Sequence, residues 1–380
     1  MSTGILLCLE GELEVEMVMA LGKVREVSVE RRCADLTEVE AAALAGIGQI
    51  AVIDAGTAGL TLALLDRLEE NGIGSILVGN TPFADRQVVP PHAADIIAAI
   101  GATVPKGKTE RKERIGVAAP TEVGKIVALI GAGGAPGKTT LACALANSIP
   151  QPSILVDADI FTPAVAISLG LEEEAPGLIS AVRLADRAAL DALEMEMLLQ
   201  TSGDMRVLGG LNLVNNWRDV EVSAFGRVLS VCRQMVPWTV VDTYARTEYS
   251  GSTDYGFGPG HDDVLGRIIE DADTLVLVGR ADPVGFRRLV VEYKFLQEQG
   301  HHVGHIAITG VGSTKSMSER HVRDVAAKYL AENIIAFPHD PKGIGDAQLR
   351  AKPWQCPQIE ELVGRITGVR ATRRRHRVRK

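Results

Sequence analysis

A glycine-rich stretch between an apolar run and a helical segment holds the residues best suited to chemistry. The apolar residues 126–130 predict a strand that leads to Gly131, and Lys138 and Thr139 open the next helix. A helix N-terminus offers free N–H groups and a positive dipole end to an anion. The lysine adds a point charge, and the threonine hydroxyl can ligate Mg²⁺, so the stretch predicts a nucleotide-phosphate site. Its predicted residues are Gly133, Gly134, Ala135, Pro136, Gly137, Lys138, Thr139 and Thr140.

One position departs from the spacing G-x-x-x-x-G-K-[ST] of phosphate-binding loops. Ala132 stands where the first glycine is expected, and Gly131 comes one residue early. The alternative is an ordinary strand, turn and helix whose glycines serve packing. The G-K-T-T sequence between an apolar strand and a helix favours the phosphate site.

Three aspartates follow predicted strands of the same region. Asp157 and Asp159 lie two residues apart in an extended segment, which places both carboxylates on one side. Asp242 ends a later apolar strand, an arrangement in which a carboxylate holds Mg²⁺ through water. Ligands of parallel sheets bind at the carboxyl ends of the strands, so we expect these aspartates near Lys138. For Asp157 and Asp159, the alternative is a solvated strand end.

The length predicts two or three domains, and the composition favours a globular α/β protein. The 380 residues are 46% hydrophobic and 4% aromatic, with 39 glycines, which suits cores rich in small and aliphatic side chains. A net charge of −8 argues against nucleic-acid binding over the whole surface. Without an 18-residue apolar run or a basic leader, we expect no membrane span, no signal peptide and a cytoplasmic location. Five scattered cysteines predict reduced thiols.

Residues 1–105 alternate short strands and helices in the manner of a flavodoxin-like domain, and they resemble a response-regulator receiver. Asp54 closes a strand, where a receiver carries its phosphorylated aspartate. The partners that a phosphoaspartate needs are displaced or missing, because Glu10 and Glu12 are out of place and Gly79 ends the fourth strand. Lys106 is a candidate for the lysine. The segment predicts a degenerate receiver that binds a protein partner without phosphorylation.

Two segments flank the second domain. Residues 106–124 change to charged and small residues without an apolar period, which predicts a linker. Residues 125–365 then predict a doubly wound, mostly parallel sheet of seven strands, and 366–380 form a basic tail. The end of this tail, 370–380, holds seven Lys or Arg and no acid, so it predicts contact with an anionic membrane surface or DNA. A solvated tail without a partner is the alternative.

With these motifs in order, residues 125–365 resemble the deviant Walker A P-loop ATPases of the MinD/ParA group. Within the group they look most like the actinobacterial CpaE/TadZ-type and septum site-determining-like proteins, which also carry a degenerate receiver before the ATPase. The resemblance rests on GAGGAPGKTTLACALA, ILVDADIFTPAVAISLGLEEEAPGL and DTLVLVGRADPVGFRRLV. It implies ATP or ADP and Mg²⁺ as cofactors.

The resemblance also implies roles for single residues. Lys138 and Thr139 would bind phosphates and Mg²⁺, Asp157 would support the metal or its waters, and Asp159 would position the attacking water. Lys138, Asp157 and Asp159 are thus the catalytic candidates, and Asp242 joins Thr139 and Asp157 as a metal candidate. Further nucleotide contacts follow the fifth and seventh strands of this sheet. They are Arg280, Asp282, Pro283, Pro338 and Asp340.

The sequence breaks the family pattern K-G-G-x-G-K at its first lysine. In the family, that lysine reaches the nucleotide of the dimer partner, and here the position is Gly133. Losing a cation in trans predicts weak or partner-stimulated hydrolysis, unless Arg280, Arg287 or Arg288 substitutes.

The resemblance therefore predicts a positioning ATPase that dimerises with ATP and recruits a partner for pilus or secretion assembly or for division-site placement. Residues 1–105 would dock the partner, and the protein would be cytoplasmic or peripheral at the inner membrane face or cell pole. The alternatives are a ParA-like DNA-segregation ATPase and a pseudo-ATPase scaffold with structural nucleotide.

Two weaker patterns complete the sequence. Residues 243–263 carry glycines, serines and tyrosines, which predict a mobile lid or a partner-contact loop, with plain disorder as the alternative. His301, His302 and His305 suggest a metal site, but exposed imidazoles at a strand entry explain them better.

Overall fold

The computed structural model describes residues 2–24, 26–83, 86–103, 123–131, 133–134, 137–173, 177–212, 214–246, 262–313, 316–330 and 333–369. The chain forms two compact units. The first is Met1–Ala119 with Leu184–Ala189, and the second is Pro120–Arg183 with Leu190–Lys380. Residues 106–122 of the predicted linker and the basic segment 370–380 lie outside the described residues.

The first unit is built on a five-stranded parallel sheet with strand order β2-β1-β3-β4-β5. This is the order of flavodoxin-like folds. The strands are β1 (Thr3–Cys8), β2 (Val27–Arg32), β3 (Ile50–Asp54), β4 (Gly74–Val78) and β5 (Val88–Val89). The helices are α1 (Gly11–Leu21), α2 (Leu36–Leu44), α3 (Leu62–Glu70) and α4 (Ala93–Thr103).

Both faces of this sheet are covered by aliphatic side chains, as expected for parallel strands. Asp54 ends β3 as predicted, and its Oδ1 accepts a 2.8 Å hydrogen bond from the Gly56 N–H. Gly79, directly after β4, has a φ of +104°, which favours glycine over the hydroxyl residue of a working receiver. Lys106 lies outside the described residues, so the receiver-like role stays a prediction.

The second unit contains an eight-stranded sheet with order β13-β12-β11-β6-β10-β7-β9-β8. Its strands are parallel except for the antiparallel pair β8 and β9. The mostly parallel α/β fold is therefore confirmed. The strands are β6 (Lys125–Gly131), β7 (Ser153–Ala158), β8 (Gln200–Ser202), β9 (Met205–Leu208), β10 (Trp238–Thr243), β11 (Thr274–Arg280), β12 (His305–Val311) and β13 (Ile334–Pro338).

The helices beyond β6 begin directly after the glycine-rich loop, which we define as residues 131–137. They are α5 (Lys138–Ser148), α6 (Val165–Ser168), α7 (Leu178–Asp186), α8 (Ala192–Leu198), α9 (Val222–Met235), α10 (Asp263–Asp271), α11 (Pro283–Glu298), α12 (Glu319–Tyr329), α13 (Pro341–Leu349) and α14 (Pro357–Thr367), with a 3-10 helix at Val214–Asp219. Among the described residues, no helix has both the length and the hydropathy that crossing a bilayer requires.

Helix α5 is buried on nearly all sides, and this fixes the glycine-rich loop. Its residues 141–146 (LACALA) are in the core, where small side chains allow close approach to the sheet. Ile359, Leu362 and Val363 of α14 belong to the same apolar cluster. A helix that is apolar all round is stable only when covered in this way. The first turn of α5 is therefore held rigidly at the carboxyl edge of the sheet.

Candidate functional site

The glycine-rich loop joins β6 to α5 with a backbone that only glycine adopts easily. Gly134 has a φ of +74° and Gly137, the N-cap of α5, a φ of +104°. No side chain among the described residues caps α5, so its first N–H groups are free for an anion. Gly131 and Gly133 flank the turn. Ala132, Ala135 and Pro136 lie outside the described residues.

Lys138 opens α5 with its side chain almost fully buried, since the residue is 8% exposed. Burial lowers the pKa of its ammonium group, and the nearby carboxylates of Asp242, Asp159 and Asp157 oppose that shift. The structure thus brings the lysine and the three predicted aspartates together. A buried ammonium group near carboxylates can also pair with the oxygens of a bound phosphate.

The Thr139 hydroxyl donates a 2.6 Å hydrogen bond to Oδ2 of Asp242. Asp242 is fully buried, and its Oδ1 has no hydrogen-bond partner among the described residues. Burial raises the pKa of this carboxyl to about 6, against the opposing effects of Lys138 and the Thr139 hydroxyl. An unsatisfied buried oxygen beside a threonine hydroxyl fits a hydrated divalent cation.

No cluster of three or more His, Cys, Asp or Glu able to hold a metal by itself occurs in the described part of the chain. Proteins bind Mg²⁺ through one or two carboxylates together with waters and substrate phosphates. The described His301, His302 and His305 are not part of such a cluster.

Asp157 holds the backbone of the loop that follows β7. Its Oδ1 accepts from the Asp159 N–H at 3.2 Å, and its Oδ2 accepts from the Ala164 and Val165 N–H groups at 3.1 and 3.0 Å. Burial, followed by the charge of Asp242, raises the pKa of Asp157 to about 7. Sequence reasoning missed this positioning role, which uses both oxygens of the carboxylate. Metal support by Asp157 stays a prediction.

Asp159 lies near Lys138, in a turn that its own carboxylate stabilises. Its carboxylate accepts hydrogen bonds from the N–H groups of Phe161 (3.2 Å) and Thr162 (2.8 Å) and from the Thr162 hydroxyl (3.0 Å). The Phe161 ring meets Tyr244 edge to face at 4.9 Å between centroids and Trp217 at 5.6 Å. This aromatic contact joins the Asp159 turn to the segment after β10, a link that the sequence motifs do not reveal.

The residues predicted to approach the nucleotide after β11 belong to the start of α11. Arg280 pairs with Asp282, and this pairing holds the pKa of the aspartate below its ordinary value. Asp282 also caps α11 by accepting from the Val284 and Gly285 N–H groups, with Pro283 as the first helical residue. Their predicted contact with a nucleotide stays a prediction.

Pro338 ends β13, and Asp340 follows it at the N-terminus of α13. Asp340 accepts a 2.8 Å hydrogen bond from the Gly343 N–H and a 3.0 Å bond from Nε1 of Trp354. These bonds lower the pKa of the Asp340 carboxyl. The structure therefore shows a capping role for Asp340, and its predicted place beside a nucleotide base stays untested.

Two contacts of α11 were not predicted. Arg288 donates from Nη1 to the Gly133 carbonyl oxygen at 2.9 Å, within the glycine-rich loop. One turn further on, Glu292 pairs with Arg246, which follows β10. The sequence named Arg288 only as one of three possible cations and gave no sign of the Glu292 pair. Residues 247–261 of the predicted lid lie outside the described residues.

Comparison with known proteins places this arrangement in a structural context. No protein-family model and no curated protein sequence matches the chain. Solved structures do. The septum site-determining protein MinD complexed with Mg-ADP from Pyrococcus horikoshii has 15% identity and a TM-score of 0.51, covering 65% of this chain and 99% of its own.

Two further structures have the same relation to this chain. The ParA family ATPase from Chlorobium tepidum has 15% identity and a TM-score of 0.51, covering 63% of this chain and 96% of its own. The MinC:MinD cell division protein complex from Aquifex aeolicus has 16% identity and a TM-score of 0.50, covering 64% and 96%. The part of the chain that these structures cover has the MinD/ParA fold. At such identities the likeness establishes the fold alone.

Proposed function

We propose that this protein binds ATP or ADP with Mg²⁺ at the glycine-rich loop and works as a nucleotide-dependent positioning ATPase. The observation that carries the proposal is the 2.6 Å bond from Thr139 to Asp242, whose second oxygen is buried and unsatisfied. It lies beside the open N-terminus of α5 and the buried Lys138. The fold it shares with MinD and ParA proteins, including a MinD solved with Mg-ADP, supports the same reading.

Each side chain has a part in this proposal. Thr139 and Asp242 hold Mg²⁺ directly or through water, and Lys138 with the α5 N–H groups holds the phosphates. Asp157 keeps the following loop in place, and Asp159 orients water at the terminal phosphate. Bound Mg²⁺ supplies charge neutralisation to the phosphate oxygens.

We expect turnover to be slow without a partner. Gly133 leaves the loop without the first lysine of the family pattern, and the Asp159 carboxylate is already engaged by three hydrogen bonds of its own turn. The same observation favours a second candidate, a scaffold in which nucleotide is structural. A hydrolysis rate that Asp159→Ala leaves unchanged would favour the scaffold.

The finer proposal concerns partners. By resemblance to the CpaE/TadZ type, ATP would favour a homodimer that recruits a partner for pilus or secretion assembly or division-site placement. The Aquifex aeolicus MinC:MinD complex shows that a protein of this fold binds a protein partner. Residues 1–105 are the proposed partner-binding part, and 370–380 the proposed contact with an anionic membrane or DNA. Salt-dependent DNA binding that appears only with ATP would favour the ParA-like alternative instead.

Calorimetric titration with an ATP analogue or with ADP, each in the presence of magnesium, tests the core of the proposal. We expect the parent to bind both, and Lys138→Ala to lose about tenfold or more in affinity because it removes the charged contact to phosphate. Lys125→Ala is the matched control, since Lys125 opens β6 and contacts the Trp238 ring at 5.7 Å instead. Equal affinity of Lys138→Ala and the parent would refute the site.

Gel filtration of the nucleotide-free, ADP-loaded and ATP-loaded protein tests the switch. A dimer that forms only with ATP supports the positioning role. One elution volume in all three states supports the scaffold.

A further inference from the structure

Arg288 lies on the exposed face of α11, yet its guanidinium rests on the glycine-rich loop. Nη1 donates to the Gly133 carbonyl oxygen at 2.9 Å. A Cβ built at Gly134 would stand 3.0 Å from the same nitrogen, so the cation packs directly against the backbone of both glycines. This contact joins two elements that are 155 residues apart.

Helix α11 is fixed well enough to hold that contact. Asp282 caps its N-terminus, and Glu292, only 6% exposed, anchors it one turn beyond Arg288. Both nitrogens that Arg246 offers to Glu292 lie within hydrogen-bond distance, at 3.1 and 3.2 Å. The Arg246 guanidinium also lies 3.7 Å from the centre of the Phe295 ring. The Arg288 backbone is thus held between two anchors.

The guanidinium has donors to spare. Arginine carries five N–H donors, and in the described part of the chain one bond of Arg288, to Gly133, is formed. The other two arginines near this loop differ from it. Arg280 is paired with Asp282, and Arg287 makes no hydrogen bond or ion pair with any described residue. Arg288 is therefore the arginine of these three that contacts the loop.

We propose that Arg288 is an anion-binding and positioning residue of the glycine-rich loop, acting within its own chain on the polyphosphate of a nucleotide. Its hydrogen bond directs the Gly133 carbonyl oxygen, which would repel a phosphate, toward the Arg288 guanidinium. Its remaining N–H groups add positive charge at the loop. The inference rests on the proposed nucleotide site and adds a residue to it.

A triphosphate carries more negative charge than a diphosphate, so the loss of a nearby cation weakens the binding of the triphosphate more. The experiment measures dissociation constants by calorimetry for AMPPNP and ADP, each with Mg²⁺, at two salt concentrations. Variants are Arg288→Gln, which keeps a donor without charge, and Arg288→Lys, which keeps charge without the fork. Arg287→Gln is the control, because it removes the same charge from the neighbouring position.

We expect Arg288→Gln to weaken the binding of AMPPNP about tenfold and the binding of ADP by less than about threefold. The affinity for AMPPNP should also depend less on salt in this variant. Arg288→Lys should recover part of the AMPPNP affinity because it restores the charge, and Arg287→Gln should match the parent. A merely structural contact would weaken the binding of AMPPNP and ADP alike. The inference is overturned if Arg288→Gln matches Arg287→Gln, or if Arg287→Gln has the larger effect. Failure of the parent to bind either nucleotide would overturn the proposed function as well, so the two failures are distinguishable.

Discussion

The Thr139 hydroxyl and the Asp242 carboxylate, 103 residues apart, join the first turn of α5 to the end of β10 by a 2.6 Å hydrogen bond. Lys138 is buried near this bond, and the Asp242 charge acts on its ammonium group. The bond uses Oδ2 of Asp242 and leaves Oδ1 without a partner in the described residues. An unsatisfied, fully buried carboxylate oxygen costs free energy, which a bound hydrated cation would recover.

We therefore expect Asp242→Asn to remove most of the magnesium dependence of nucleotide binding. The amide oxygen can still accept from Thr139, so the variant loses charge without losing the hydrogen bond. Affinity with Mg²⁺ should fall on the order of tenfold to a hundredfold. Affinity in EDTA should change little. Calorimetry in both conditions measures this, and a variant with the full magnesium effect of the parent would contradict the assignment.

Gly133→Lys should speed hydrolysis if a cation at this position is what the loop lacks. A Cβ at Gly133 meets nothing within 4 Å, so the position accepts a side chain without a clash. We expect a rate increase of about tenfold or more, and one that depends on protein concentration if the charge acts across the proposed dimer. Phosphate release measured over a range of protein concentrations tests it. Gly133→Ala adds a side chain without charge, and equal rates for the two variants would count against the expectation.

The proximity of Lys138 and Asp242 was predictable from sequence because both residues obey local rules. Lys138 opens the helix that follows a strand and a glycine turn. Asp242 lies near the end of an apolar strand that is parallel to that first strand. The carboxyl ends of parallel strands meet at one edge, so linear order was enough to bring these side chains together. The seven predicted strands of the second sheet follow from the same apolar runs.

What could not be predicted depends on side chains that meet across the fold. The Trp354 bond to Asp340 joins residues 14 apart and the Glu292 pair with Arg246 joins residues 46 apart. No spacing rule connects either pair. The strands Val88–Val89 and Gln200–Ser202 were missed because two or three residues carry too little periodicity to be recognised. Both lie at sheet edges, where a strand is defined by its one neighbour.

His305 should make the protein less stable in mild acid. Burial, with the nearby charges of Arg365 and His302, holds the pKa of His305 below its ordinary value, and its Nδ1 has no partner among the described residues. The unfolded chain then binds more protons than the folded chain as pH falls below about 6.5, so stability present at pH 7 is lost.

The test is chemical denaturation of the parent and His305→Gln between pH 7.5 and 5. We expect the stability of the parent relative to the variant to decline as pH falls, since the variant has no imidazole to protonate at this site. His321→Gln is the control and should follow the parent, because His321 is an exposed residue of α12. A parent and a His305→Gln variant with parallel pH profiles would show that His305 titrates alike in both states.

Glu292→Gln should destabilise the second unit because it breaks the pair that fixes α11. Glu292 is buried, and the Arg246 side chain is only 21% exposed, so the arginine would keep its charge with a weaker acceptor. We expect a loss of about 2 kcal/mol in the free energy of unfolding, below the cost of stranding a fully buried charge. Glu319→Gln is the matched control, since its pair with Arg323 is exposed and should contribute less than about 0.5 kcal/mol. Urea titrations of both variants measure these free energies of unfolding. Equal losses of stability would mean that the Glu292 pair contributes no more than the exposed Glu319 pair and does not fix α11.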